Sequence, residues 1–206
     1  MRKASVEFLG TFFLVLVVGL TAMSGESTLA PLAIGAILMV MVYAGGPISG
    51  GHYNPAVTLA AWLRGACALE DALRYLVAQA LGAAAAAWLV GVCVQGGELN
   101  PVELSVLPAS LIEGVFTFAL ALVVLSVTTS KRAKGNAYFG AAIGGTVLAA
   151  AVAGGGISGG AFNPAVAVGL TLMGVSPASH LWMFLVADFA GGALAAPVFR
   201  LTHPDE

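Results

Sequence analysis

Hydrophobic residues run along the chain in six long blocks, at roughly Ala4 to Met23, Pro31 to Ile48, Leu69 to Val94, Val106 to Thr129, Asn136 to Gly155 and Ala178 to Phe199. Each is close to the ~20 residues that a helix rising ~1.5 Å per residue needs to cross a ~30 Å hydrocarbon layer. Six spanning helices are predicted. Two shorter apolar runs, Ala56 to Leu63 and Ala165 to Met173, stop near Arg64-Gly65 and Gly174. They are about half the length needed to span, which predicts half-helices. The first long block follows Arg2-Lys3 as a signal peptide would, but it carries Glu7 and has no clear cleavage site before Glu26, so it reads as a retained helix.

The polar interruptions before the two half-helices are copies of each other. Ser49-Gly50-Gly51-His52-Tyr53-Asn54-Pro55-Ala56-Val57 returns as Ser158-Gly159-Gly160-Ala161-Phe162-Asn163-Pro164-Ala165-Val166, identical at seven of nine positions with the asparagines 109 residues apart. Asn suits a helix N-cap because its side-chain oxygen accepts from the first-turn N–H groups, and Pro at the first helical position lacks only a donor that would be orphaned anyway. A helix therefore begins at each Asn-Pro. The Ser-Gly-Gly ahead of each reads as extended backbone, which at membrane depth is tolerated only where protein buries it or where it lines a watery cavity.

Composition sharpens the class. Hydrophobic residues make up 59% of the chain and charged residues only 9%, with mean hydropathy +0.97, which argues against a water-soluble domain and for a polytopic membrane protein. A net charge of −2 and the lack of any basic stripe exclude a nucleic-acid partner. With the N-terminus on the cytoplasmic side, six spans place all eight Lys and Arg residues on that side, while the outer loops hold Glu26, Glu98 and Glu103. This bias predicts cytoplasmic N- and C-termini in the cell (inner) membrane. It also makes the first Ser-Gly-Gly loop dip in from the cytoplasm and the second from outside.

The halves, about 1–100 and 106–206, match beyond the loops. Glu7-x-x-x-Thr11-Phe12 opens the first span and Glu113-x-x-x-Thr117-Phe118 the fourth, about 50 residues ahead of the respective asparagines. Three spans per half force the copies into opposite orientations. The expected fold is an all-α membrane protein, a single channel domain over 1–206 with six transmembrane helices and two re-entrant half-helices in an inverted repeat. Such folds place their site near the midplane where broken helices meet. Twenty-seven glycines and runs such as Ala83 to Ala87 let helices approach closely.

With these features the sequence resembles the aquaporin (major intrinsic protein) family over essentially the whole chain. The resemblance rests on the paired motifs Asn54-Pro55-Ala56 and Asn163-Pro164-Ala165, the six spans, the Glu early in the first and fourth spans, and His52 two residues before the first Asn. It implies a passive channel, no enzymatic activity, no cofactor or metal, and a homotetramer in lipid with one pore per subunit. Two helix N-termini meeting at the midplane would each carry roughly half a positive charge and repel cations. Asn amide groups not used in capping would donate to a passing neutral molecule. The carbonyls of Ser49 to His52 and of Ser158 to Ala161 would supply acceptors, with Gly50, Gly51, His52 and Gly159 lining the pore.

In the family the outer constriction comes from residues twenty before the first Asn, twelve and three before the second, and three after it. Aromatic residues and an Arg are usual there. Here those offsets fall on Ile34, Ala151, Gly160 and Val166, none of them charged or aromatic. Val in place of Arg removes a fixed cation and a fork of donors, so a wide, apolar filter is expected, open to glycerol, urea, ammonia, hydrogen peroxide or metalloid hydroxides such as arsenite as well as water. Ala167 stands where glycerol-type members tend to carry Asp, which does not support a dedicated glycerol facilitator. A water-selective aquaporin is the alternative, an ion-coupled secondary transporter a further one, and a membrane protein with a vestigial pore another.

The remaining polar residues carry two readings each. Glu7 and Glu113 are buried acids whose symmetry suits holding the loop N–H groups, as their family equivalents do, rather than carrying protons. Asp188 stands where the family usually has Pro; it either packs against a neighbouring helix or lines the pore or the tetramer surface. His52 reads as pore lining or as a loop brace. Cys67 and Cys93 read as ordinary buried thiols, His180 and His203 as solvated or interfacial, and Gly154-Gly155-Gly156 as a flexible lead-in to the second loop.

Overall fold

The computed structural model describes residues 1–24, 28–94 and 103–205, so Glu26 and Glu98 lie outside the described residues. Eight α-helices follow one another: α1 (Arg2–Ser24), α2 (Ala30–Ser49), α3 (Pro55–Arg64), α4 (Leu69–Cys93), α5 (Val106–Thr128), α6 (Phe139–Ser158), α7 (Pro164–Leu172) and α8 (Leu181–Thr202). Six of them are long and apolar enough to cross a membrane. The two short ones are the half-helices, 10 and 9 residues long, starting at Pro55 and Pro164.

Local chemistry sets these boundaries. Asn54 and Asn163 are extended N-caps, the Asn54 Oδ1 accepting from Ala56 N at 2.8 Å and the Asn163 Oδ1 from Ala165 N at 2.9 Å. α3 stops where Gly65 turns left-handed at φ 83° and returns its N–H to Ala61 and Trp62. α4 opens with Glu70 and Asp71 at its positive end. α6 begins at Phe139 rather than Asn136, because Asn136 is spent on the link: its Nδ2 donates to Val127 O and Ala133 O, and its Oδ1 accepts from Tyr138 N.

The two halves interlock. α1 packs most extensively on α4 and α5 on α8, while α2 meets α6 across the halves. α3 packs chiefly on α8 and α5, and α7 on α4 and α1, so each half-helix is gripped mainly by the opposite half. Small residues make the grip possible: a Cβ on Gly82 would stand 2.6 Å from the Phe8 carbonyl, and one on Gly191 would collide with the Gly114 backbone. Outward-facing positions such as Val77, Leu81, Trp88, Val115 and Val186 are exposed and apolar, as a surface in contact with lipid tails requires.

The basic residues gather at one end. Lys3 pairs with Asp71 at 2.6 Å, Arg200 donates to the Leu63 carbonyl, and Lys131 and Arg132 both reach Asp205. α3 ends at this basic end with Arg64.

Several expectations need correction. The Ser-Gly-Gly segments are not extended: Ser49 and Ser158 are the last residues of α2 and α6, and Gly50, Gly51, Gly159 and Gly160 have φ of 97°, 63°, 88° and 70°. These left-handed angles reverse the chain immediately after each helix, a conformation that only glycine adopts without steric cost. Gly154-Gly155-Gly156 lies inside α6 rather than forming a flexible lead-in. Cys93 is exposed at the end of α4 and Cys67 half-buried, so neither is an ordinary buried thiol. His180 is buried, so of its two readings the solvated one fails; it immediately precedes α8 without a side-chain cap bond, and its Nε2 lies 3.6 Å from Glu103.

Candidate functional site

The two asparagine loops meet at the centre of the molecule and are tied to each other. Asn54 donates from Nδ2 to Phe162 O at 2.9 Å, and Asn163 donates from Nδ2 to Tyr53 O at the same distance. Each asparagine thus caps its own half-helix with its oxygen and latches the opposite loop with one N–H, leaving the other N–H of each amide. The amides are therefore only half free, contrary to the simpler expectation. The latch needs Tyr53 and Phe162 in the left-handed region, at φ 50° and 48°, a conformation that costs a non-glycine residue ~1–3 kcal/mol and persists only when its surroundings enforce it.

The enforcing groups are two buried carboxylates. Glu7 on α1 accepts from Ser49 Oγ at 2.6 Å, His52 N at 3.0 Å and Tyr53 N at 2.7 Å. Glu113 on α5 accepts from Ser158 Oγ at 2.6 Å, Ala161 N at 3.0 Å and Phe162 N. Both acids are fully buried. Hydrogen bonds to an ionised acceptor are worth roughly 1.5–3 kcal/mol each, enough together to outweigh the strain at Tyr53 and Phe162. Tyr53 is further pinned by its hydroxyl donating to Met41 O at 2.9 Å, and its ring occupies space kept clear by Gly10 and Gly45.

Three residues missed in the sequence complete the first loop. Gln79 on α4 donates to Glu7 Oε2 at 2.9 Å and to Thr58 Oγ1 at 3.0 Å. Tyr75 donates to the Ser49 carbonyl at 2.7 Å and sits edge-on to the His52 ring. The Ser49 carbonyl is therefore already taken. The carbonyls of Gly50, Gly51 and His52, and of Gly159, Gly160 and Ala161, accept from no protein donor among the described residues.

Three cavities adjoin along these loops, each sharing lining residues with the next. At the basic end a vestibule of ≈ 880 Å³ is lined by Gly50, His52, Cys67 and Lys131 among others. At the opposite end one of ≈ 420 Å³ is lined by Ile34, Ala151, Gly159 and Gly160. Between them lies a neck with ≈ 20 Å³ open to the centre of a water molecule. A single buried water needs ~10–15 Å³ by this measure, so the neck has room for one or two.

The lining of the neck combines aliphatic residues, among them Leu14, Leu38, Leu120 and Val147, with Asn54, Asn163 and the segment Gly160 to Phe162. His52 stands where the neck opens into the basic vestibule, its Nδ1 3.1 Å from Thr58 Oγ1. It is both lining and brace. Ile34 and Gly160 stand where the neck opens into the other vestibule, and Val166 lies just inside. Ala151 faces the vestibule rather than the neck, where Val147, one helical turn away, takes its place. Gly51 is packed against the Gly46 backbone of α2.

Asp188 is fully buried beside Glu113, accepting from Thr117 Oγ1 at 2.9 Å. It packs between helices. Among the described residues no group of three or more His, Cys, Asp or Glu side chains could hold a metal ion.

Known proteins resemble the chain in sequence and in fold. The family profile described as "MIP: Major intrinsic protein" matches residues 1–199. A protein of Lactiplantibacillus plantarum named "Glycerol uptake facilitator protein-like 6" is 36% identical over 218 aligned positions covering 100% of both chains. "Aquaporin NIP1-4" of Oryza sativa subsp. japonica is 38% identical, covering 95% of this chain and 76% of its own. In fold, the chain is similar to the aquaglyceroporin from Plasmodium falciparum, with TM-score 0.84 at 22% identity, covering 98% of this chain and 97% of that one. On this match across nearly its whole length, the chain belongs to the major intrinsic protein family of passive membrane channels for water and small solutes.

Proposed function

We propose that the protein passes water and small uncharged solutes through a filter built from Ile34, Gly160 and Val166, with Ala151 at its outer lip. The observation that carries this reading is Val166 itself: one turn into α7 beside Asn163, it lines the neck with an aliphatic side chain where the family usually places an Arg. The neck then offers a solute both polar groups and aliphatic side chains. A neutral molecule can exchange its water contacts for Asn54, Asn163 and the free loop carbonyls while its carbon face slides along Leu14, Leu38 and Val147.

Ions fare differently. Two helix N-termini point at the neck from α3 and α7, and each opposes a cation by about 0.3–1 kcal/mol, up to ~2 where partly buried. Stripping an ion of water in a low-dielectric site costs several kcal/mol. Desolvation by the narrow apolar neck is therefore the larger barrier, and it persists without an Arg.

The basic end faces the cytoplasm in this reading, the orientation that the concentration of Lys and Arg favours. Four copies packed through their small-residue faces would carry one pore each. The name of the Lactiplantibacillus plantarum relative favours solutes as large as glycerol. The neck's ≈ 20 Å³ favours a second reading, a water-selective pore. Proteoliposome swelling in gradients of glycerol, urea and arsenous acid separates the two: re-swelling supports the first, shrinkage without re-swelling the second.

A further inference from the structure

The two halves differ at the buried position that faces each loop-holding glutamate. Gln79 and Asp188 are 109 residues apart, the same offset that relates Asn54 to Asn163, and both face the loop-holding glutamate of their half. In the first half the partnership is complementary: Gln79 donates an N–H to the Glu7 carboxylate. In the second half a carboxyl stands beside a carboxyl: Asp188 accepts from Thr117, one turn along α5 from Glu113, and both acids are fully buried.

Two ionised carboxylates offer only acceptors. Glu113 is already receiving Ser158 Oγ, Ala161 N and Phe162 N, all donors that an ionised carboxylate attracts most. Asp188 Oδ1 receives Thr117 Oγ1 at 2.9 Å. Its Oδ2 is buried and has no donor. Among the described residues no Lys, Arg or His acts on the pair: α5 contributes Thr117, the loop after α6 contributes hydroxyl and amide groups, and α3 meets α8 through Ala56 against Gly192, an apolar contact. A dianion there would be buried without any compensating charge, which costs several kcal/mol per ion. A proton on Asp188 Oδ2 donated to Glu113 satisfies every group present.

We propose that Glu113 and Asp188 hold one proton between them, and that this proton fastens the second asparagine loop to the α5–α8 pair, making the pore sensitive to alkaline pH. The folded protein then carries one more proton than the unfolded chain, whose Asp is ionised above its ordinary ~3.9. The unfolded state binds fewer protons, so stability falls as pH rises, by about tenfold in the folding equilibrium constant per pH unit, until the pair gives the proton up. Deprotonation sets two anions against each other beneath the Gly160 to Phe162 backbone that lines the neck.

The test is infrared spectroscopy of the reconstituted wild-type protein at neutral pH, compared with Asp188→Asn. The wild type should show the carbonyl band of a protonated carboxylic acid, and Asp188→Asn, which donates an amide N–H as Gln79 does, should lack it. Thermal unfolding and solute flux are then followed from neutral to alkaline pH. Wild-type Tm and flux should fall while those of Asp188→Asn hold level and match the wild type at neutral pH. No protonated-carboxyl band in the wild type, or the same band in Asp188→Asn, overturns the proposal, as does an equal pH response in both proteins. The wild-type spectrum decides even if the variant does not fold.

Discussion

Asn54 donates from Nδ2 to the carbonyl of Phe162 at 2.9 Å, and Phe162 directly precedes Asn163. With the mirror bond from Asn163 to Tyr53, each half of the chain closes the other half's loop. The asparagines are thus structural fasteners as much as pore lining. Asn163→Ala removes a helix cap, worth ~1 kcal/mol, and leaves the buried Tyr53 carbonyl unpaired, costing about 1–3 kcal/mol more. Detergent-solubilised protein should lose about 2–4 kcal/mol of stability, visible as a clear fall in Tm. An unchanged Tm would mean that the latch contributes nothing.

Tyr53 can adopt its left-handed backbone only because its ring has a slot. A methyl on Gly45 would collide with the Tyr53 hydroxyl. Gly45→Ala should therefore destabilise by about 1–3 kcal/mol, as overpacking does. Adding Tyr53→Phe removes the obstructing oxygen, so the double variant should recover part of the loss in thermal denaturation. Additive losses would place the clash elsewhere.

Glu7 serves four donors: Ser49 Oγ, His52 N, Tyr53 N and Gln79 Nε2. Glu7→Gln turns one acceptor oxygen into a donor facing two of them, and bonds to a charged acceptor carry roughly 1.5–3 kcal/mol each. The variant should lose at least about 2 kcal/mol, with low folded yield by size-exclusion chromatography. Gln79→Glu is the subtler change. It gives the first half the acid pair of the second, and the outcome should be a folded protein with added alkaline sensitivity.

The two cysteines report orientation. Cys67 lines the vestibule at the basic end and Cys93 closes α4 at the other. In single-cysteine variants, a membrane-impermeant maleimide applied to intact cells should label Cys93 and reach Cys67 only after permeabilisation. Burial, with Asp71 nearby, pushes the Cys67 thiol up, so less thiolate is present at neutral pH. Its labelling should be slow there and keep rising with pH beyond the point where an ordinary thiol levels off. The reverse sidedness would invert the proposed topology.

Much of this architecture is legible in the residues. Apolar block length marks the six spans, and the Asn-Pro start marks the half-helices, because both depend on local, periodic physics. What escaped is what depends on the partner half. The Asn54–Phe162 latch joins residues 108 positions apart, and no local pattern announces it. Gln79 is a single amide in an apolar stretch of α4, and only its 109-residue offset from Asp188 connects it to the second half. The Ser-Gly-Gly segments misled because glycine pairs suit both extended and left-handed backbone, and only the need to reverse direction after Ser49 and Ser158 selects the latter. Counting twelve back from Asn163 reached Ala151, whereas the neck itself is lined one turn away by Val147.

The central claim, a neutral-solute pore whose filter is set by Val166, is tested most directly by stopped-flow light scattering on proteoliposomes holding wild-type protein or Val166→Arg. The account predicts rapid re-swelling of wild-type vesicles in at least one of glycerol, urea or arsenous acid, and its loss in Val166→Arg with water flux retained. Water flux without solute flux in the wild type, or solute flux indifferent to Val166→Arg, would contradict it.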